Sequence, residues 1–468
     1  MTGCSYPQHH KGARGGPGVF VFAVVVLAVY VAVRLVLAVV AFIEAWWWLP
    51  AVAFGAAVAA LVLARIFGKH LPGCLRYAPL ALWALVTWRA MCRRLSLISS
   101  DRRRPGRRPR GAHHPLALVY PSRHGIVVKA RTVAGVDREA VEKEAEHFRN
   151  HWRCARLTVI ERGPGRLELR GMRTDPLTQP LSAAVLPAFD GRHVTLGRDE
   201  VGTMRRGDLA NLSGSAFSGA PGRGKTEAAL SLAVQLAASP LVDWWILDGG
   251  ACDWQAFAEG AAGYVGDDLA AAEDMLRLLD VKMCDRRRTL SADLGTRNGW
   301  SAGPTRDYRL QWVLVEEAPF YLDADAVKGD RKLEGHVRAC RGLLAGLLRR
   351  GRAPLFHTTL IAQKGTGTGG LPPDLRDLCG LRWSFGLPTV EASAAILGDD
   401  IRRHETLSPT LLQGPDHVGV ASALMRTGQS PYTLLKFPEV GQDRAGQLAA
   451  ALAVDAVVPD DVSELVGS

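Results

Sequence analysis

The eight residues Gly219-Ala220-Pro221-Gly222-Arg223-Gly224-Lys225-Thr226 decide the fold of this chain. They fit the pattern G-x-x-x-x-G-K-[ST] of a phosphate-binding loop. The glycines let the backbone curl so that several N–H groups point at phosphate oxygens. In this pattern Lys225 reaches the β- and γ-phosphates, and the Thr226 hydroxyl is a ligand of Mg2+. The stretch therefore predicts a binding site for ATP and Mg2+ that involves all eight residues.

The residues on either side of this loop supply the context that the pattern requires. Residues 212–218 are a short, weakly apolar run that can end a strand. Residues 226–238 place apolar side chains at helical spacing among strong helix formers. The N-terminus of such a helix adds its dipole to the anion site. A strand, the loop and a helix are thus predicted in the order of a P-loop NTPase.

Two later runs end in polar side chains of the kind that ATP hydrolysis uses. Residues 309–315 read as a buried strand, followed directly by Glu316 and Glu317. We expect Glu316 to hold Mg2+ through water and Glu317 to orient or deprotonate the attacking water. A third strand, residues 353–362, ends in Gln363, a candidate sensor of the γ-phosphate. The loop, the acid pair and the glutamine occur in the order typical of a RecA-like core.

Strands and helices alternate through the rest of this region. Further strands are predicted at 242–247, 380–385 and 418–421, and helices at 270–288 and 335–350. This alternation indicates a parallel sheet with helices on both faces. The predicted fold class is therefore α/β, with a RecA-like P-loop motor over residues 191–440.

Charge is distributed unevenly along the chain. The formal net charge is +11, from 57 Lys and Arg against 46 Asp and Glu. Residues 1–113 hold 15 of the cations and only 2 of the acids, whereas the remaining residues hold 42 cations against 44 acids. The motor is therefore not globally basic. The eight cysteines show no zinc-type spacing, so we expect them to be reduced and mostly buried.

Residues 1–95 are predicted to form an N-terminal membrane domain with a transmembrane helical hairpin. Residues 18–43 are apolar apart from Arg34, and residues 51–67 form a second apolar run, so both are candidate spans. Three tryptophans and a proline between them suggest a tight turn with an aromatic belt. Both outer flanks are cationic, which predicts a cell-membrane protein with both termini and the motor in the cytoplasm. The alternative is a pair of buried core helices.

Residues 75–91 form a third, shorter apolar run interrupted by Arg76 and Arg89. We interpret it as an interfacial helix rather than a third crossing, because a third crossing would place the motor away from ATP. Residues 96–113 are an Arg-rich basic linker. Its position beside membrane spans favours binding to anionic lipid, and the alternative is a nucleic-acid arm.

Two regions flank the motor. Residues 114–190 are predicted to be a small α/β module, with strands at 116–120 and 125–131, an amphipathic helix at 137–152 and a hairpin around Gly163-Pro164-Gly165. No catalytic constellation is evident in the module. Residues 441–468 contain one short helix and an acidic tail.

Several motifs over residues 190–440 resemble the FtsK/SpoIIIE family of DNA translocases. Before the P-loop, Leu196-Gly197-Arg198-Asp199, Gly202 and Asp208-Leu209 are similar to the family's hairpin. After it, the matching residues are Met283, Arg286, Leu290, Gly295-Thr296-Arg297-Asn298, Ala362-Gln363, Arg382, Ala394-Ala395-Ile396-Leu397 and Leu411-Leu412-Gln413-Gly414 to Gly419. The short chain with two predicted spans resembles the transfer proteins of actinomycete conjugative elements.

The chain also departs from the family pattern. The acid pair is Glu-Glu where the family usually has Asp-Glu, and Asp248 is followed by Gly-Gly rather than Pro-Lys. Within residues 441–468 there is no room for the winged-helix domain of the chromosomal translocases.

The resemblance implies an ATP-driven motor that moves double-stranded DNA as a homo-hexameric ring at the membrane, with other transfer or septum proteins as further partners. It also implies that neighbouring subunits share each ATP site, so that an arginine of one subunit reaches the γ-phosphate held by the next. The candidates are Arg349, Arg350, Arg352 and Arg382, with Arg352 and Arg350 preferred. The role is either conjugative transfer or chromosome segregation.

Three other function classes compete with this interpretation. A coupling protein of a secretion system, which docks a protein or nucleoprotein substrate, shares the spans and the motor. The hairpin before the P-loop and the G-x-R-N stretch favour the translocase. An ABC transporter ATPase is excluded, because Leu212-Ser213-Gly214 precedes the P-loop and the ABC signature must follow it. A nucleotide-binding scaffold without hydrolysis stays open because of the unusual Glu316.

Overall fold

The computed structural model describes residues 25, 27–37, 39, 76–98, 114–250, 254–363, 370–425, 432–441 and 444–447. Contacts divide the chain into two units, residues 1–79 and 80–468. In the first unit, residues 27–37 are helical with exposed side chains, and the Arg34 guanidinium donates a hydrogen bond of 3.1 Å to the Tyr30 hydroxyl. No helix in the described parts of the chain is both long and apolar enough to cross a bilayer. The predicted span 51–67 lies outside the described residues, as does most of 18–43.

The small module is an antiparallel sheet covered on one face by three helices. Its elements are α1 (Ala78–Arg94), β1 (Leu116–Pro121), β2 (Gly125–Arg131), α2 (Arg138–Lys143), α3 (Ala145–His151), β3 (Arg156–Gly163) and β4 (Arg166–Met172). The four strands lie in the order β1-β2-β4-β3. The predicted helix at 137–152 is divided at Glu144, whose ψ of 2° interrupts the helical backbone. The predicted strands and hairpin are confirmed.

Helix α1 packs one face on the module. Trp88 is buried, stacks on Phe148 and donates a hydrogen bond of 2.7 Å from its indole to the Pro115 carbonyl. On its other side, Leu82, Leu85 and Val86 are exposed. Apolar side chains thus lie on both sides of α1, and its buried side belongs to the module core; the interfacial position stays a prediction.

The motor is built around a ten-stranded sheet. Its strands are β5 (His193–Asp199), β6 (Met204–Asp208), β7 (Gly214–Ser218), β8 (Val242–Asp248), β9 (Gly263–Val265), β10 (Leu310–Glu316), β11 (Phe356–Ala362), β12 (Leu381–Phe385), β13 (Val420–Leu424) and β14 (Tyr432–Lys436). Its helices are α4 (Lys225–Ala237), α5 (Leu269–Leu294), α6 (Gly299–Ala302), α7 (Ala318–Leu322), α8 (Arg331–Arg350), α9 (Pro373–Arg376) and α10 (Val390–Leu397).

The prediction of a parallel sheet is confirmed for six of the ten strands and is wrong at one side. The strand order is β6-β5-β14-β13-β12-β7-β11-β10-β8-β9, and the run from β12 to β9 is parallel. The run from β6 to β12 is antiparallel. For two of the four antiparallel pairs the physical reason is a short connection: β5 and β6 are separated by four residues and β13 and β14 by seven, too few for the helical crossover that parallel strands need.

Apolar side chains cover both faces of this sheet. In β8, Trp244 and Ile246 belong to one buried cluster, whereas Trp245 and Leu247 belong to another. Successive side chains of a strand point to opposite faces, so a strand buried on both faces must be continuously apolar. Helix α4 contributes to the first cluster, and α5 and α8 to the second. The prediction of helices on both faces is confirmed. All five free cysteines in the described residues lack disulfides, and four of them are buried.

Candidate active site

The P-loop joins β7 to α4 and requires glycine at two positions. Gly222 and Gly224 have φ of 72° and 90°, in the left-handed region that disfavours other residues. Gly224 is also crowded, because a Cβ there would lie 2.7 Å from the backbone nitrogen of Gly419. The Ala220 backbone N–H donates a 3.1 Å hydrogen bond to the Gly386 carbonyl, which fixes the loop to the end of β12. The loop is therefore held in shape by its own backbone and by its neighbours.

Lys225 is the first residue of α4 and is buried. Its Nζ donates a hydrogen bond of 3.2 Å to the Ala220 carbonyl, within the P-loop itself. Burial lowers the pKa of Lys225, and the negative charges of Glu316 and Glu317 act in the opposite direction. The ammonium group thus lies in the loop with the acid pair close enough to influence its charge. Thr226, the next residue, is placed by the first turn of the same helix.

The acid pair occupies the end of β10, in the register expected for the carboxyl edge of a parallel sheet. Glu316 is 4% exposed, and in the strand register it lies beside Asp248 of β8. Glu317 follows with φ 46° and ψ 50°, a left-handed backbone conformation that is costly for a residue with a Cβ. Such strained residues cluster at active sites. The turn at Glu317 starts α7 and separates the two carboxylates, so that they have different surroundings.

Gln363 follows β11, the strand between β7 and β10. Its side-chain amide donates a hydrogen bond to Glu317 Oε1. The structure therefore brings together Lys225, Glu316, Glu317 and Gln363, as the sequence predicted. Glu316 and the Thr226 hydroxyl are hard oxygen donors that fit Mg2+, which usually takes only one or two carboxylates and keeps water and phosphate as other ligands.

Two side chains next to the acid pair were not predicted. The indole N–H of Trp254 donates a 3.3 Å hydrogen bond to Glu316 Oε2, and its backbone N–H donates one of 3.2 Å to Asp248 Oδ2. The Tyr264 hydroxyl donates to the same oxygen at 2.9 Å. Both Trp254 and Asp248 are fully buried. No sequence signal identifies Trp254, because it lies outside the strand and its partner is 62 residues away.

The segment that follows Leu411-Leu412-Gln413-Gly414 packs on the P-loop. The Gly419 backbone N–H donates to the Arg223 carbonyl at 3.0 Å, and the Arg223 guanidinium donates to the Gly414 carbonyl at 3.4 Å. Lys436 is buried and donates to the Val418 carbonyl at 2.7 Å. Glu227, in the first turn of α4, accepts backbone hydrogen bonds from Val440 and Gly441. These contacts tie the P-loop to the last strands of the sheet.

The arginine candidates are not brought to this site. Arg349 and Arg350 end α8, before β11 starts, and thus lie at the amino edge of the sheet. A seven-residue strand is about 23 Å long, so neither they nor Arg352 can reach a phosphate held by their own chain. Arg350 pairs with Asp280 at 2.7 Å and Arg349 with Asp374 at 3.8 Å. Arg352 is exposed and has no ion pair among the described residues.

Arg382 lies on β12, level with Ala216 of the P-loop strand. Its guanidinium donates to the Ile396 carbonyl at 3.1 Å and approaches Asp377 at 3.5 Å. Burial lowers the pKa of Arg382. The side chain is therefore mostly enclosed by its own subunit, which distinguishes it from the exposed Arg352.

No protein-family model and no curated protein matches this sequence. Among solved structures, the chain is similar to the pCW3 conjugation coupling protein TcpA, with 13% identity and a TM-score of 0.49 over 79% of this chain and 99% of that one. It is also similar to the type VII secretion ATPase EccC of Thermomonospora curvata, with 18% identity and a TM-score of 0.43 over 60% of this chain and 33% of that one. EssC of Geobacillus thermodenitrificans (ATPases 2 and 3) is similar with 14% identity and a TM-score of 0.45, over 59% of this chain and 51% of that one. The chain spans only part of EccC and EssC.

Proposed function

We propose that this protein is a membrane-anchored, ATP-driven translocase of double-stranded DNA that works as a hexameric ring in conjugative DNA transfer. The observation that carries the proposal is the convergence of Lys225, Glu316, Glu317 and Gln363 at the carboxyl edge of one sheet. This arrangement can clamp a triphosphate, bind Mg2+ and orient a water for attack on the γ-phosphate. The motifs that accompany it, above all the hairpin β5–β6 and the Gly295-Thr296-Arg297-Asn298 stretch, resemble those of double-stranded DNA translocases and support the proposal.

DNA contact is proposed to be largely independent of sequence. A motor that tracks the phosphate backbone reads no bases, because backbone contacts carry no sequence information. Since residues 114–468 are close to neutral in total, the cations that touch DNA must be clustered on one surface. Binding should weaken steeply with salt, because cations that contact phosphates release counterions.

The decisive test is ATP hydrolysis by the full chain, purified in mild detergent, with and without duplex DNA. We expect duplex DNA of unrelated sequences to raise the rate, and the effect to disappear as salt is raised severalfold. Stimulation only by a protein or nucleoprotein substrate would favour the alternative, a secretion-system coupling protein. An absence of hydrolysis under all conditions would favour a nucleotide-binding scaffold.

The membrane anchor is proposed from the two apolar runs at 18–43 and 51–67, with the motor in the cytoplasm. Its test is extraction of cell membranes with alkaline carbonate. The full chain should stay with the membrane, and a chain that starts at residue 76, which lacks both apolar runs but keeps α1, should be released. Recovery of the full chain in the wash would contradict the anchor.

A further inference from the structure

One face of the module sheet has no helices in the described part of the chain. In β2, Ile126 and Val128 belong to the cluster formed with α1, α2 and α3. Strand side chains alternate between faces, so the residues between them point the opposite way. We call this opposite side the outer face. Through the strand register it carries Leu116, Leu118 and Tyr120 of β1, the buried Val127 with Lys129 and Arg131 of β2, and Arg166, the buried Glu168 and Arg170 of β4.

The cations of the outer face are more crowded than folding alone would favour. Arg131 of β2 lies directly opposite Arg166 of β4. Like charges directly opposite each other on neighbouring strands are destabilising. Neither arginine makes an ion pair with a described residue, and the one carboxylate, Glu168, is already bound by Arg162 and Arg170. The face therefore has a surplus of positive charge that an anionic surface would relieve.

Apolar side chains lie beside these cations. Leu116 is 66% exposed and Leu118 is 64% exposed, and both are on β1 at the edge of the sheet. The Lys129 ammonium lies 5.2 Å from the centre of the Tyr120 ring. Leucines and cations together line a shallow concavity of about 770 Å³. Exposed leucines in such a place indicate an interaction surface rather than a solvated one.

We propose that the outer face lies on the anionic headgroups of the lipid bilayer. Cations that bind headgroups beside apolar side chains that enter the acyl boundary are the pattern of a membrane-surface contact. Duplex DNA would satisfy the arginines but leave Leu116 and Leu118 in water. The arginine-rich linker 96–113, which is itself predicted to bind anionic lipid, ends two residues before β1. The two candidate lipid-binding stretches are therefore adjacent in sequence. The inference rests on the proposed membrane anchor.

The test is hydrogen exchange of the full chain in nanodiscs made with phosphatidylcholine alone or with added phosphatidylglycerol. We expect backbone amides of residues 114–131 to exchange severalfold more slowly in the anionic discs. The double variant Arg131→Glu/Arg166→Glu should abolish this difference, and Leu116→Ser/Leu118→Ser should reduce it. The matched control is Arg287→Glu/Arg288→Glu, two exposed cations on α5, which should leave the difference unchanged. Nucleotide binding by every variant reports that the motor is folded.

Three results would overturn the inference. Equal exchange in the two kinds of disc would show that this face does not lie on anionic lipid. Slower exchange on addition of duplex DNA in phosphatidylcholine discs would assign the face to DNA. If the α5 control also loses the difference in exchange between the two kinds of disc, the slower exchange depends on the total charge of the chain and not on this face. If the chain does not stay in discs, the anchor has failed separately, and added phosphatidylglycerol vesicles then test the face on the chain in solution.

Discussion

Gln363 donates its side-chain amide hydrogen bond to Glu317 Oε1 across the ends of two neighbouring strands, β11 and β10. The carboxylate oxygen that would orient or accept a proton from the attacking water is thus engaged by a residue of the strand beside the P-loop. Binding of a γ-phosphate would offer the Gln363 amide a second acceptor. We therefore expect phosphate binding to change the hydrogen bonding of Glu317, the proposed general base.

Replacing Gln363 by glutamate should make hydrolysis dependent on pH. Two carboxylates in contact raise the pKa of the pair, because their charges repel. Below the raised pKa one of the two carboxylates would hold a proton, and the rate should fall there. It should recover as the pH rises through the raised pKa. Rate–pH profiles of Gln363→Glu and the parent measure this, with Gln363→Ala as the control that lacks the second charge. A pH-independent loss in Gln363→Glu would contradict the repulsion.

Glu317→Gln should bind ATP but cleave it about 10²–10⁴-fold more slowly, the usual contribution of a general base. The side chain keeps its size and a hydrogen-bonding oxygen, so the site should stay assembled. Lys225→Ala should instead weaken nucleotide binding, because the ammonium that contacts the β- and γ-phosphates is removed. Single-turnover cleavage and fluorescent-nucleotide titration separate the two effects. If Glu317→Gln hydrolyses ATP at the parent rate, Glu317 is not the general base.

Trp254→Phe should raise the Mg2+ concentration needed for half-maximal hydrolysis by about tenfold, as loss of a group that orients a metal ligand usually does. The variant keeps an aromatic ring but removes the N–H that donates to Glu316 together with part of the buried indole, so its control must lose the same atoms elsewhere. Trp244→Phe is the matched control, since that indole donates to the Gly260 carbonyl instead. Titration with Mg2+ at saturating ATP gives the readout. Equal Mg2+ requirements for the two variants would deny Trp254 this positioning role.

Mixtures of two inactive variants should hydrolyse ATP if the site is shared between subunits. Arg352→Ala has an intact P-loop and Lys225→Ala has an intact arginine, so a mixed ring contains some complete sites. Arginine fingers are worth about 10³–10⁵ in rate, so even a few such sites should be measurable. The comparison variant is Arg349→Ala, because Arg349 already pairs with Asp374 of its own chain. A shared site would be excluded by two results together. Activity is not recovered in mixtures with variants of Arg352, Arg350 or Arg382, and a monomer is fully active.

His357 should make the motor less stable in mild acid. It is fully buried on β11, and burial lowers its pKa to about 4. Between pH 6.5 and 4 the unfolded chain binds a proton that the folded chain does not, so the contribution is complete above pH 6.5 and is lost as the pH falls toward 4. The difference is about 3 kcal/mol at most. In thermal unfolding followed by tryptophan fluorescence, His357→Gln should lose less stability than the parent between pH 7 and 4.5. Identical pH slopes would contradict this.

Local sequence determined the nucleotide-binding half of the site. The P-loop is contiguous in sequence, and its glycines, lysine and threonine form a phosphate site only at fixed spacing. Eight neighbouring residues therefore predict the conformation of the loop. The acid pair and Gln363 could be placed because each directly follows an apolar strand, and the carboxyl ends of parallel strands meet at one edge. The elements of the module and the motor were predicted for the same reason, since alternation and helical spacing are local patterns.

Only the tertiary structure decided what these residues contact. The bond from Trp254 to Glu316 joins positions 62 residues apart, and the packing of Gly419 on Gly224 joins positions 195 apart, with no local pattern to announce either. The opposition of Arg131 and Arg166 depends on strand register, which is set by turns and burial together. The antiparallel side of the sheet likewise depends on which edges remain for β5 and β14. Sequence determines periodicity and motif chemistry, whereas strand order and register follow from the simultaneous burial of both sheet faces.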